Sequence, residues 1–320
     1  MKKKVIAVAK ILAIYVAIAL SFLVYYGVEG NGKQKKTEHP YYLYFISLIG
    51  AFVLIEVIIG LFNKSIKKRV HYKAPFITGI IVFLLLLNFI TSKTLILPTL
   101  YFPSLDRIIG LIVEQRNFLL RNVGDSLGLL FTGFLWGASV GFFTGLALGY
   151  FKNVGYWLNP VTKVIGPIPT TAWIPLALST FPTTRGANIF LIAFAVWFPV
   201  TLMTSSGIQS INNVNFEVSR TLGASTLYQI IHVAIPAAMP SIFLGVFYGT
   251  VSSFATLMAV EMNGNSSGIG WYINWQKSVM MYDGVYAGLI IIATICSLTL
   301  TILFKVRDKV LVWQKGVIKW

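Results

Sequence analysis

Glu217 to Pro236 reads Glu-Val-Ser-Arg-Thr-Leu-Gly-Ala-Ser-Thr-Leu-Tyr-Gln-Ile-Ile-His-Val-Ala-Ile-Pro. It lies between two apolar runs, near 187–208 and 237–260, each long enough to cross a bilayer. A connection between two spans needs only a few polar residues, yet this one is written as structure. An acid opens it, Gly223 divides it, a second amphipathic run follows, and Pro236 closes it where the next apolar segment begins. That is the pattern of a helix-turn-helix held outside the lipid, a surface on which another protein pushes.

Composition agrees with a chain that lives in lipid. Hydrophobic residues make up 56% and charged residues 11%, which defines a polytopic membrane protein rather than a soluble enzyme with one anchor. The net charge of +16 sits in short clusters beside apolar runs, so it points to membrane orientation and anionic headgroups, not to nucleic acid. Cys296 lies in an apolar run and has no second cysteine to pair with. His39, His71 and His232 are scattered without ligand spacing, and no metal site is expected. Lys2, Lys3 and Lys4 precede an apolar stretch to about Val28 that is longer than a signal-peptide core and lacks a small-x-small cleavage site, so it is expected to stay as a first span.

Runs long enough to span occur near 5–27, 41–63, 74–92, 126–151, 187–208, 237–260 and 284–305. An eighth, near 164–181, is broken by Pro167, Pro169 and Pro175, which is tolerable where neighbouring helices or a water-filled path satisfy the freed carbonyls. The expectation is an all-α polytopic membrane protein with about eight transmembrane helices and both termini on one side. Sixteen Lys or Arg fall at the N-terminus, in 64–73, 152–163 and 209–236, and in the tail from Lys305. The opposite loops hold nine: Lys33, Lys35, Lys36, Lys93, Arg107, Arg116, Arg121, Arg185 and Lys277. The bias places both termini and the 209–236 loop in the cytoplasm of a cell membrane.

The fourth span carries Gly133, Gly137, Gly141, Gly145 and Gly149, a smooth strip for close helix approach, with a substrate groove as the alternative reading. Between Pro103 and Asp125, Ile108, Ile109, Ile112 and Val113 alternate with Asp106, Arg107, Glu114 and Arg116; this stretch is too polar to span and should lie on the outer surface. Residues 1–96 read as a three-helix N-terminal extension, and 97–320 as one compact core.

Few residues offer chemistry. There is no Gly-x-x-x-x-Gly-Lys-Ser/Thr, so the chain is not expected to hydrolyse ATP, and no Ser-x-x-Lys, His-Glu-x-x-His or Gly-x-Ser-x-Gly occurs. Glu56, within the second apolar run, is either functional or a neutralised contact among the first helices, the latter preferred. Glu261, followed by Asn263, Gly264, Asn265 and Gly268-Ile269-Gly270-Trp271, either lines an outer gate or pathway or is an interfacial acid held in water beside Trp271. In the quoted loop, Gly223 permits a tight turn, and Ala224 and Ser225 permit close approach. Leu222, Tyr228, Ile230 and Ile231 offer apolar surface to a partner. Glu217 is expected near a helix start, where the macrodipole favours an acid, and Pro236 in the first turn of the next span.

Glu217-Val218-Ser219, then Gly223, then Val233-x-Ile235-Pro236, resembles the Glu-Ala-Ala…Gly…Ile-x-Leu-Pro loop of the permeases of binding-protein-dependent ABC importers, with matching spacing. Val218 and Ser219 replace its two alanines with other small residues. Pro167-Ile168-Pro169-Thr170-Thr171-Ala172-Trp173-Ile174-Pro175-Leu176, Arg220 to Ser225, Val260-Glu261-Met262 and Gly268-Ile269-Gly270 are similar to segments of the nitrate, sulfonate and taurine type. The likeness runs from about Leu97 to Trp313. It departs at Ser179 to Arg185, where the family has Leu-Trp-Phe-Gly, and in having three leading spans rather than one. The resemblance implies a type I permease core whose cytoplasmic coupling helix docks on a separate ATPase. The ATPase binds ATP and magnesium, so this chain carries no cofactor. Two permease copies, identical or paralogous, and an extracytoplasmic binding protein complete the assembly. It also implies a docking role for Glu217, Val218, Ser219, Leu222, Gly223, Ala224, Val233, Ile235 and Pro236, and a place near the path for Pro169, Trp173, Pro175 and Glu261. The competing reading is a secondary transporter driven by an ion gradient. That class shows paired inverted halves, and the broken span has no counterpart in the first half.

Overall fold

The computed structural model describes residues 2–34 and 37–313, with side chains from Ala9 onward. Lys35, Lys36, Lys315 and Lys319, and the side chains of Lys2, Lys3 and Lys4, counted above for orientation, lie outside the described residues. Among the described residues there are helices and no strands. Contacts divide the chain into two compact units, Met1–Asn117 with Gln276–Ala287, and Phe118–Trp275 with Gly288–Trp320. The division falls about twenty residues beyond the expected boundary at 96/97, and a short C-terminal segment joins the first unit.

In the first unit, α1 (Lys2–Gly27), α2 (Tyr41–Phe62) and α3 (Lys64–Ser92) form a bundle around Ile14, Ala17, Val53, Ala74 and Ile81. The α2–α3 turn is a single residue, Asn63, whose side chain accepts from the Ser65 N–H at 2.9 Å and so caps α3. Gly60 faces the backbone of Lys67, and the hairpin is antiparallel. That register sets Glu56 level with the basic stretch of α3, away from the apolar middle. Among the described residues Glu56 has no hydrogen bond or ion pair, so the helix-to-helix contact expected for it does not form.

Helix α4 (Leu105–Glu114) is amphipathic as expected, but it buries Leu105, Ile108 and Leu111 rather than Ile109, Ile112 and Val113. Its Asp106 carboxylate accepts from the Tyr42 N–H at 2.9 Å, capping the start of α2. Burial holds the Asp106 carboxyl above its ordinary value of 3.8. The Tyr42 and Tyr25 hydrogen bonds and the Lys93 ammonium oppose that rise. Lys93 in turn donates to the Tyr25 and Val28 carbonyls at the end of α1. Arg107 pairs with Asp283 at 2.7 Å, which is what ties the 276–287 segment into this unit.

The second unit is ordered by helix direction. Helix α5 runs Arg116–Tyr150, ten residues earlier than the apolar run began, and α8 runs Thr184–Gln209. Gly133 meets Ile189 and Ile192, Gly141 meets Trp197 and Val200, and Gly149 meets Ser205 and Ile208. Residue numbers rise together on both helices, so α5 and α8 are parallel. The chain between them must therefore return the full height of the pair. It first forms α6 (Lys152–Ile165), and the return itself is the proline-broken stretch that follows, with a single 3-10 turn at Thr170–Trp173 and seven-residue α7 (Ile174–Thr180). Seven helices are long and apolar enough to cross a membrane, and this interrupted segment supplies the remaining pass.

After α8 come α9 (Asn213–Thr221), α10 (Thr226–Gln229), a π turn at Ile230–Ala234 and α11 (Ile235–Gly264). Gly207 lies against Ser241, and Gly249 against Val196, so α11 runs back antiparallel to α8. Helix α12 (Ile269–Ser278) is short. Helix α13 (Tyr282–Val310) descends beside α11, with Ile292 and Ile295 against the core near Leu257, and Phe304 stacked 5.4 Å from Phe247. The end of α13 thus shares one end of this unit with α9 and α10.

Candidate functional site

At that end α9 and α10 form a hairpin capped at both ends of α9 and at the start of α10. Asn212 accepts from the Val214 N–H at 3.0 Å and begins α9. The helix starts four residues before Glu217, so Glu217 sits mid-helix, exposed, and not at the helix start as expected. At the other end Gly223 has φ +84°; its N–H donates to the Arg220 carbonyl at 2.9 Å, and the Ala224 N–H to the Ser219 carbonyl at 3.0 Å. That pair of bonds is a Schellman cap, and it needs the left-handed residue glycine supplies. Ser225 then accepts from the Tyr228 N–H at 3.3 Å and starts the next helix one residue later.

No residue of α9 is buried. Leu222 is 82% exposed, and Val218, Leu227, Tyr228 and Ile231 are exposed too, leaving an apolar strip in a polar setting. Ile230, expected on that strip, is instead buried against the bundle. The inner face is fastened by residues the sequence reading passed over. Phe216 packs edge-on to Tyr150, and the Tyr150 hydroxyl donates to Gln229 Oε1 at 2.9 Å, with Gln229 buried. Their signal was faint: one tyrosine at the end of a long apolar helix and one glutamine in an amphipathic turn.

The second helix of the hairpin does not stop at Pro236. One helical run extends from Thr226 to Gly264, and Pro236 lies ten residues inside it. The π turn explains how. The Ile235 N–H reaches back five residues to the Ile230 carbonyl, a shift of register just where the proline cannot donate. Val233, Ile235 and Pro236 therefore belong to the join between hairpin and α11, not to an exposed loop. Ala234 and Ala238 fix that join against Ile208 of α8.

Glu261 is buried and faces no open space, contrary to either reading from the sequence. Its Oε1 accepts from Ser126 Oγ at 2.7 Å and its Oε2 from the Gly270 N–H at 2.7 Å. The Ile269 N–H donates to Ser126 Oγ at 2.8 Å, and the Gly268 N–H to Asn122 Oδ1 at 2.9 Å. Three donors at the start of α12 are thus satisfied by side chains of α5 and α11, and a carboxylate rests at a helix N-terminus. A Cβ at Gly268, where φ is +106°, would overlap the Glu261 carboxyl. Asn122 and Ser126, one helical turn apart on α5, are the partners the sequence did not reveal.

The broken segment presents Pro169 and Pro175 exposed and Trp173 half-buried against Phe194. Phe190, Phe194 and Trp197 stack in a column along α8, and the Trp197 indole donates to Thr144 Oγ1 at 3.1 Å. The five glycines face α8 throughout, so no groove remains along them.

The site is thus an exposed hairpin rooted in the longest helical run of an all-helical membrane bundle, and no group of His, Cys, Asp or Glu among the described residues could hold a metal ion. Residues 137–312, more than half of the chain, match the binding-protein-dependent transport system inner membrane component, and the chain belongs to that family. Within it the matches are of the nitrate, sulfonate and taurine type of ABC importer permease, which are transport subunits and not enzymes. The chain is 30% identical to an ABC transporter permease protein of Methanocaldococcus jannaschii, over 67% of this chain and 82% of that one. It is 33% identical to an aliphatic sulfonates transport permease protein of Bacillus subtilis, over 58% of this chain and 67% of that one. In fold it is similar to a chain of the MetNI methionine ABC transporter in an inward-facing form, with a TM-score of 0.52 and 16% identity, over 62% of this chain and 98% of that one.

Proposed function

We propose that this chain is the subunit that forms the translocation path of an ATP-driven importer and takes its motion from a separate cytoplasmic ATPase gripping the α9–α10 hairpin. The observation that carries the proposal is the hairpin itself: exposed apolar residues on one face, caps at both ends of α9 and at the start of α10, and the Tyr150–Gln229 fastening on the other. A lever has to move without bending, and packed helices switch between discrete arrangements rather than deform. Leu222, Gly223 and Ala224 form the tip, Glu217, Val218 and Ser219 the flank, and Val233, Ile235 and Pro236 the root that passes motion into α11. ATP and magnesium belong to the ATPase.

Pro169, Trp173 and Pro175 of the broken pass are the residues we assign to the path. Glu261 we assign to the frame that holds α12. The solute delivered by an extracytoplasmic binding protein is a small sulfonate or oxyanion, a class supported by relatives named for sulfonates, taurine and nitrate. A second permease subunit completes the path. The hairpin end carries Lys152, Lys163, Arg220, Lys305, Arg307 and Lys309, which supports a cytoplasmic location for it and for the C-terminus. With three further passes before α5, the N-terminus falls on the same side.

The test is assembly. Leu222 is exposed at the tip, so Leu222→Asp spares the fold and reports on the partner, whereas Gly223→Asp also places a side chain at φ +84° and so strains the turn itself. A buried apolar anchor is worth about 2 kcal/mol, some thirtyfold in affinity. Each variant should lose copurification with the ATPase and stimulated ATP hydrolysis to that extent. Unchanged copurification and stimulation would remove the hairpin as the docking site. Uptake by vesicles lacking the ATPase, abolished by a protonophore, would replace the importer with a gradient-driven carrier.

A further inference from the structure

Beside the hairpin, but away from its exposed tip, a cavity of about 1100 Å³ lies between α6, the end of α8 and α9. Lys152, Asn159 and Lys163 line it from α6, Gln209 from α8, and Glu217 and Arg220 from α9. Three cations thus face one carboxylate. Among the described residues none of these four charged side chains has an ion pair or a hydrogen-bond partner. Charges that converge on a space without pairing are poised for something that enters it.

The helix carrying two of the cations says at what depth that space opens. On α6, Lys152, Asn159 and Lys163 share one face, while Trp157, Val161 and Val164 share the opposite face and are exposed, Trp157 by 74%. A short amphipathic helix with a free apolar face, a tryptophan on it and lysines across from it is built to lie in the boundary between water and lipid. The cavity on its polar side then opens at headgroup level.

We propose that this cavity binds the oxyanion of an anionic phospholipid headgroup, held by Lys152 and Lys163 of α6 and Arg220 of α9. The lining carries a net positive charge, which favours an anionic headgroup over a zwitterionic one whose ammonium would find only Glu217. Because one cation sits on the docking hairpin and two on the interfacial helix, an occupied site bridges them. The position of α9 then depends on the charge of the surrounding lipid. A free phosphate or sulfonate shares the same oxyanion chemistry, and the experiment separates the two sources.

The full-length permease, purified in detergent, is titrated with dioleoylphosphatidylglycerol, dioleoylphosphatidylcholine or inorganic phosphate, and bound molecules are counted by native mass spectrometry. The wild-type chain should retain the glycerol lipid about tenfold better than the choline lipid. Lys152→Gln with Lys163→Gln should abolish the preference, and Lys152→Arg with Lys163→Arg should keep it. Both positions are exposed, so folding is not at stake. Failure of millimolar phosphate to displace the lipid identifies the lipid as the ligand, whereas displacement assigns the same site to a soluble oxyanion. Equal retention of the two lipids, or equal retention by wild type and the glutamine variant, overturns the proposal. So does a glutamine variant that loses the ATPase while its lipid binding is unchanged, because the cavity would then be part of a protein interface.

Discussion

Asp106 shows how much one side chain can decide. It caps α2, lies close to Lys93, and is buried enough that its carboxyl is held above its ordinary value. A carboxyl raised on folding binds more protons in the native state than in the unfolded one. Its contribution is therefore present below pH 3.8 and is lost as pH rises through the raised native value. Thermal melts of the protein between pH 4 and 7 should show stability falling with pH through this group, and Asp106→Asn should flatten that slope. Glu261 answers to a different test. Glu261→Leu leaves the Gly270 N–H and the Ser126 hydroxyl without their acceptor, at about 1–3 kcal/mol for each buried group. The melting temperature should drop, and Glu261→Gln should recover part of it. The sequence marked Glu261 as unusual but not as buried, because its partners lie 135 and nine residues away and no local pattern joins them.

At the level of elements, periodicity and turn chemistry were the legible part. The glycine strip, the Gly223 turn and the broken pass could all be read because each depends on residues close in sequence. Pro236 does lie in the first turn of α11, as expected, but the π turn that joins α10 to α11 was not legible. A proline beside an apolar run reads as a helix beginning, and only the π turn allows the helix to begin at Thr226 and carry the proline inside. The seam and the fastening give separable outcomes. Gly141→Leu forces a side chain into the Trp197 carbonyl and Val200, so it should cost about 1–3 kcal/mol or prevent folding, seen as loss of monodisperse protein on size exclusion. Tyr150→Phe removes only the bond to Gln229, about 1 kcal/mol. It should leave the ATPase bound while lowering uptake per ATP hydrolysed.

For the whole molecule, composition was enough to establish a helical membrane protein. The unit boundary was not legible, because it rests on side chains that join distant segments: Asp106 with Tyr42, and Arg107 with Asp283. Cutting the chain after residue 96 would strip α4 of the helices that cover Leu105, Ile108 and Leu111 and leave Asp106 without Tyr42. Such a truncation should express poorly or aggregate, whereas restoring residues 1–96 on a separate polypeptide should rescue it.

The parallel pairing of α5 with α8 also governs how the protein can be made. Two neighbouring helices that point the same way cannot zip together as a hairpin while they emerge from the ribosome. The glycine face of α5 must wait, exposed to lipid, for more than fifty residues of synthesis before Ile189 and its successors arrive. In that interval the chain has to thread its proline-rich stretch back across the bilayer, so the least helical pass is the step on which biogenesis of the whole bundle hinges.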